Sequence, residues 1–280
     1  MEAAAILREE LERGGLIPPS TRWAPLAGGR SNALWRLCGE GTDLVCKLYR
    51  PARGNALFPN DAEAEATALR ALEGTGLAPR FRGQAASALG TVILYEFLPG
   101  THGAAAPEMV AVALGRLHRL PIRPGLRKSV TKPAEISRMG AQFLAGSKQD
   151  CLWKLRPEAP DVPPVERCLI HGDAVPANIV LTPEGPVFID WQCPALGDPA
   201  EDLANFLSPA MQQVYGRGPL PAAEVEAFLV AYPAPAIVAR YRRLAPLFHW
   251  RMAAYCDWKA RRGEAEYEMA RDLEIAALEG

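Results

Sequence analysis

Between residues 168 and 191 short apolar runs alternate with polar loops at close spacing. Cys168-Leu169-Ile170 leads into His171-Gly172-Asp173, four residues follow, then Asn178, and Ile179-Val180-Leu181 resumes the apolar pattern. Pro186-Val187-Phe188-Ile189 next delivers Asp190 and Trp191. Apolar runs this short, bounded by Asp, Asn, Gly and Pro, read as buried strands holding a rigid loop between them. Such a support positions polar side chains well. Two carboxylates and one amide oxygen, with no thiolate, suit a hard cation such as Mg²⁺. The same set divides the labour of phosphoryl transfer: one Asp for the proton of an attacking hydroxyl, an Asn and a second Asp for the metal.

Composition narrows the alternatives. The 280 residues carry 31 Lys plus Arg against 32 Asp plus Glu, a formal charge of −1. Bulk nucleic acid or an anionic membrane would favour a basic excess, so neither is expected as a partner. Cys38, Cys46, Cys151, Cys168, Cys193 and Cys256 form no Cys-x-x-Cys pair and read as reduced free thiols. The N-terminus lacks the pattern of a secretory signal, and no run approaches the ~18 apolar residues of a membrane helix. A cytoplasmic chain is expected.

The order of elements follows from periodicity. Residues 3–13 predict an amphipathic helix that stops at Gly14-Gly15, followed by strands near 23–26, 33–37 and 43–49. The last alternates, with Val45, Lys47 and Tyr49 on one face and Leu44, Cys46 and Leu48 on the other. A Gly-rich turn, residues 27–32, separates the first two. Residues 61–73 predict a helix with Ala62, Ala66, Leu69 and Leu72 on its apolar stripe. At ~100° per residue, Glu65 lies about 45° from the stripe centre and Glu63 more than 100° away. After Gly74 and Gly76 the chain is extended through Phe97, and Leu98-Pro99-Gly100 breaks it. A helix is expected over 104–120, with His118 packed on it. The stretch 121–165 is rich in Pro, Lys and Arg with weak periodicity. The last 60 residues are helical, interrupted at Pro233 and Pro235. This predicts a small sheet-containing lobe, residues 1–97, and a larger, mostly helical lobe, residues 98–280.

His171-Gly172-Asp173-x-x-x-x-Asn178, Ile189-Asp190-Trp191 and Gly197-Asp198-Pro199-Ala200-Glu201-Asp202-Leu203 together resemble the aminoglycoside phosphotransferase and choline/ethanolamine kinase superfamily. The resemblance implies an α+β fold of the protein-kinase-like, bilobal kind, with an antiparallel sheet in the N-terminal lobe. It implies a kinase that uses ATP and Mg²⁺ on a small-molecule hydroxyl. Asp173 is then the catalytic base, Asn178 and Asp190 the metal ligands, His171 a brace of the loop, and Asp202 an anchor of its backbone. Lys47 takes the place of the strand lysine that contacts nucleotide phosphates, with Glu65 its partner. Gly28, Gly29, Ser31 and Asn32 form the turn over the phosphates. Glu96 and Phe97, in Tyr95-Glu96-Phe97-Leu98, form the hinge that meets adenine through its backbone.

The acceptor is less constrained. The loop lacks the Arg that follows His in protein kinases, Ile189-Asp190-Trp191 stands in place of Asp-Phe-Gly, and no Ala-Pro-Glu segment occurs, so a small hydroxyl compound is expected rather than a protein. Trp250, Tyr255 and Trp258 lie on a C-terminal helix similar to one whose tryptophans hold a quaternary ammonium in choline kinases. That favours an amino alcohol such as choline, ethanolamine or thiamine. Gly172 is more like the aminoglycoside enzymes, and Gln192 stands where many relatives have Glu, so aminoglycosides and sugars stay open. A non-catalytic sensor on the same fold and a GTP-dependent enzyme are the remaining alternatives. The oligomeric state is not legible.

Overall fold

The structure, a computed structural model, describes residues 2–26, 31–39, 41–50, 54–121, 125–148, 150–215 and 217–279. It divides into two compact units, Met1–Gly100 with Val187–Cys193, and Thr101–Pro186 with Pro194–Gly280. Asp190 therefore groups with residues far from it in sequence.

The first unit begins with α1 (Glu2–Arg13), which buries Leu7 and Leu11 on one stripe. It ends where Gly15 takes a left-handed φ of 67°. Five strands follow: β1 (Arg22–Leu26), β2 (Ala33–Gly39), β3 (Thr42–Leu48), β4 (Phe81–Ser87) and β5 (Gly90–Glu96). They pair antiparallel in the order β1-β2-β3-β5-β4. Cys46 and Leu48 on one face of β3 join Leu7, Leu11, Leu37, Val92 and Leu94 in a single apolar cluster. The opposite face, with Val45, Lys47 and the following Tyr49, is buried as well. Between β3 and β4 lies α2 (Ala62–Ala71), capped by the Asp61 carboxylate, which accepts the Ala64 N–H at 3.1 Å. Gly90 opens β5 at φ 134°, and a Cβ there would fall 2.8 Å from the Tyr49 carbonyl oxygen. No other residue fits that turn.

The second unit contains β6 (Thr101–His102), α3 (Pro107–His118), α4 (Pro133–Phe143), α5 (Asp150–Lys154), β7 (Cys168–Ile170) and β8 (Ile179–Thr182). In sequence, β9 (Gly185–Phe188) then leads to Asp190. It continues with β10 (Ala195–Gly197), α6 (Pro199–Leu207), α7 (Pro209–Val214), α8 (Ala222–Ala231), α9 (Pro235–Ala260) and α10 (Glu266–Glu279). β7 pairs with β10 and β6 with β8, both antiparallel. Pro235 sits in the first turn of α9, where its missing N–H costs nothing. The helix α4 falls in the stretch that lacked clear periodicity. Its buried stripe is Ile136, Ser137, Gly140 and Phe143, and a Ser and a Gly in such a stripe carry no hydrophobic signal. Gly140 admits α9 at close range: a Cβ there would lie 2.5 Å from Trp250 Cζ3.

Two buried ion pairs tie these helices together. Arg251 on α9 pairs with Glu201 on α6. Arg240 donates from Nε to Asp198 at 2.7 Å and reaches the carbonyls of Pro163 and Thr131 at 2.5 and 2.9 Å. The architecture is α+β, an antiparallel sheet in the N-terminal part and helices in the C-terminal part, as expected. No helix among the described residues is long and apolar enough to cross a membrane.

Candidate active site

In the first unit the chemistry centres on Lys47. Its alternation in β3 turns it to the side of α2, where its side chain is only 1% exposed. Its Nζ donates to Glu65 Oε2 at 2.6 Å and also pairs with Asp190 Oδ1. Burial by itself lowers a lysine pKa, but the charges of Asp190 and then Glu65 more than offset it, so Lys47 stays well above its ordinary value. Glu65 is the buried carboxylate of α2 and Glu63 the exposed one, as the helical geometry predicts. Burial pushes Glu65 up and Lys47 only partly restores it. Tyr49, two residues beyond Lys47 on the same strand face, donates its hydroxyl to Glu65 Oε2. The other oxygen, Oε1, is buried without a hydrogen-bond partner.

Asp190 is the one non-glycine among the described residues with positive φ, 61°. Aspartate tolerates this conformation better than most residues. Buried neighbours hold it there: Phe188 and Trp191 are fully enclosed, and the Trp191 indole N–H donates to the Phe188 carbonyl at 2.8 Å.

The phosphate-covering turn is described only in part, since Gly28 and Gly29 lie outside the described residues. Ser31 makes no hydrogen bond among them. The turn is expected to meet the nucleotide through backbone N–H groups, and the Asn32 side chain serves the protein instead. It is buried and its amide is wholly committed within the protein: Nδ2 donates to Asn60 Oδ1 (2.8 Å) and Gln192 Oε1 (2.9 Å). Its Oδ1 accepts from the Arg50 N–H (3.0 Å) and Asn60 Nδ2 (2.9 Å). A carboxamide has two donors and two acceptor sites, so none is left for a ligand. Gln192 is thereby explained as well, as the acceptor of an Asn32 donor. At the hinge, two backbone donors are engaged within the protein. The Phe97 N–H is donated to the Asp43 carbonyl (3.0 Å) and the Glu96 N–H to that of Arg80 (2.9 Å), so neither amide donor is free for a base. The Glu96 carboxylate pairs with Arg82, and the Phe97 ring lies 3.8 Å from the Arg36 guanidinium.

In the second unit the loop between β7 and β8 carries His171, Asp173 and Asn178, all buried. The Asp173 N–H donates to His171 Nδ1 at 3.2 Å, so that nitrogen is the acceptor of the ring. Asn178 Nδ2 donates to the carbonyl (3.0 Å) and carboxylate Oδ2 (3.1 Å) of Asp173. Asp202 on α6 accepts the His171 N–H and the Gly172 N–H, each at 2.8 Å. It therefore anchors the loop backbone. His118 on α3 completes this support, its Nε2 3.0 Å from Asp202 Oδ2 and its Nδ1 2.7 Å from the Tyr232 hydroxyl. Burial works to raise the Asp202 pKa, but the His118 hydrogen bond and nearby histidines win, and it is held below its ordinary value. His118 is thus more than a packed helix residue. Its partners lie 84 and 114 residues away, and no local pattern announces them.

The aromatic residues of α9 divide. Trp250 is fully buried, donates its indole N–H to the Leu152 carbonyl at 2.6 Å and packs on Gly140. It exposes no ring face, so it is a core residue and not part of a cage. Tyr255 is buried edge-on against Phe143 and stacks 6.0 Å from Trp258. Burial, Tyr267, Tyr215 and then Asp173 push the Tyr255 hydroxyl up, so it lies within electrostatic reach of Asp173. The half-buried Trp258 already carries the Arg262 guanidinium 4.4 Å from its ring centre.

No curated protein sequence matches the chain. Solved structures do. A choline/ethanolamine kinase family protein from Mesorhizobium loti superposes with a TM-score of 0.70 at 16% identity, over 99% of this chain and 93% of its own. An aminoglycoside 2'-phosphotransferase-IIIa, solved as a GDP complex, gives 0.69 at 13% over 99% and 97%. A spectinomycin phosphotransferase, solved with ADP and spectinomycin, gives 0.60 at 17% over 96% and 97%. These likenesses establish the protein-kinase-like fold. The phosphotransferase enzyme family model matches residues 22–247. The chain belongs to the phosphotransferase enzyme family.

Proposed function

We propose that this phosphotransferase is an ATP- and Mg²⁺-dependent kinase acting on a hydroxyl group of a small molecule. One observation carries the reading: a buried lysine held between Glu65 and Asp190, which carries the charge needed on nucleotide phosphates. Lys47 would bind the phosphates, and Glu65 fixes its ammonium. Asp173 takes the proton of the acceptor hydroxyl as its oxygen bonds to the γ-phosphorus and the bond to the departing ADP breaks. Asn178 holds the Asp173 carboxylate in place. The adenine edge would meet the hinge through carbonyls or through the Leu98 N–H.

The donor chemistry fits Mg²⁺. Asn178 would offer an amide oxygen and Asp190 a carboxylate oxygen, the hard donors of which Mg²⁺ takes one or two besides phosphates and water. When bound it neutralises the charge of the transferring group. That base, lysine and both oxygen donors are all present weighs against a non-catalytic sensor. ADP in one structural neighbour and GDP in another keep a GTP-dependent form as the variant to test. A cytoplasmic setting accords with this reading, since the six cysteines are free thiols.

For the acceptor, the amino-alcohol reading now rests on Tyr255 and Trp258, with Trp250 withdrawn. A second reading, an aminoglycoside or sugar, is favoured by Arg262 covering the Trp258 ring. An ADP-release assay over choline, ethanolamine, thiamine, aminoglycosides and amino sugars tests both, with Asp173→Asn as the blank. Turnover on a quaternary-ammonium alcohol supports the first reading and turnover on sugars alone the second. Release of ADP at the same rate from Asp173→Asn as from the wild type sinks the assignment of the base.

A further inference from the structure

Asn32 sits where four chain segments of the first unit meet. Through Asn60, which precedes the Asp61 cap, it reaches the start of α2 and so Glu65. Its bond from the Arg50 N–H reaches the end of the strand that carries Lys47. Gln192, two residues past Asp190, receives its second donor. Asn32 itself stands just before β2. A backbone bond reinforces the same junction, the Asp61 N–H donating to the Gln192 carbonyl at 3.3 Å. Asn60 Nδ2 also donates to the Arg50 carbonyl at 2.9 Å.

We infer that the Asn32 carboxamide is a positioning residue that locks the start of β2, the Lys47 strand, the Glu65 helix and the Asp190 segment into one register for nucleotide binding. Four satisfied hydrogen bonds on one buried amide fix direction as well as distance, because each donor and acceptor lies in the amide plane. Lys47, Glu65 and Asp190 sit on three different segments, and the ion pairs among them tolerate rotation in a way an amide network does not. Removing one bond of a buried network leaves its partner unsatisfied and lets its segment drift. The inference rests on the kinase reading above, because it assigns the register a nucleotide to receive.

The test measures binding of Mg·AMP-PNP by titration calorimetry to the wild type, Asn32→Ala, Gln192→Met and Gln192→Glu. Leu37→Ala, in the apolar cluster beneath the sheet, serves as a stability control. Asn32→Ala and Gln192→Met are expected to weaken binding about tenfold. Gln192→Glu, which keeps an oxygen for the Asn32 donor, should stay within about threefold of the wild type. Leu37→Ala should lower the melting temperature at least as much with affinity unchanged. In the nucleotide-free protein, Gln192→Met should speed amide hydrogen exchange at 61–65 and 188–193. If Asn32→Ala does not fold, Gln192→Met carries the test, since it removes one bond of the four. Affinities and exchange equal to the wild type in both variants overturn the inference, as does a loss of affinity that merely tracks melting temperature as in Leu37→Ala. A wild type that binds no Mg·AMP-PNP overturns the kinase reading and this inference with it, and is told apart because the failure is then in the wild type.

Discussion

Asp173 and Lys47 pose opposite electrostatic problems. The Asp173 carboxylate accepts the Asn178 amide, which orients it. Replacing it with Asn should leave ATP binding intact and cut turnover by about 10²–10⁴-fold, read by ADP release. Lys47 is charged in a site that would discharge an unpaired lysine, and its two carboxylates keep it so. Tyr49 sustains Glu65 in turn. Tyr49→Phe removes one hydrogen bond to a buried carboxylate and should cost about 1.5–3 kcal/mol in urea unfolding. The choice of Glu65 over Glu63 was legible from helix phase, and the Lys47–Glu65 pair bears it out, whereas the role of Asp173 is implied by the resemblance of its motif. Tyr49 was legible only as sharing the face of Lys47, because its bond to Glu65 depends on how α2 approaches the sheet.

Elements add constraints that no single side chain carries. The loop after β7 is held from α6 by Asp202, which is held from α3 by His118. Asp202 has a lowered pKa, so its contribution to stability is present above the unfolded value of about 3.9 and is lost as pH falls through the lower folded value. His118→Ala removes the principal group that offsets burial. The folded pKa then rises, and the acid-unfolding midpoint, followed by circular dichroism, should move to higher pH. At the α4–α9 contact, Gly140→Ala places a Cβ against Trp250 and should destabilise by about 1–3 kcal/mol in chemical denaturation. Helix α4 escaped the sequence because its buried face includes Ser137 and Gly140, which carry no hydrophobic signal.

At the scale of the molecule, the Val187–Cys193 segment joins a unit whose other residues end at Gly100. A ligand that binds only the folded protein stabilises it by mass action. At a hundred times its dissociation constant, Mg·AMP-PNP should add about 2.7 kcal/mol and raise the melting temperature. Lys47→Met should abolish that rise, measured by thermal unfolding with and without the nucleotide. An unchanged rise in Lys47→Met would remove the lysine from the phosphate site.

Local order was written in the chain. The loop from His171 to Asn178 lies between two apolar strands eight residues apart, β3 alternates, and the helical phase of 61–73 separates Glu65 from Glu63. Each of these follows from repeats of 2 and 3.6 residues that act over a few positions. The tertiary structure alone decided which polar groups were already committed. Asn32 meets Gln192 across 160 residues, Lys47 meets Asp190 across 143, and Trp250 gives its indole N–H to Leu152 across 98. Such pairings leave no periodic trace. A hydrogen bond is satisfied by whichever group the packed fold brings within about 3 Å, however distant in sequence.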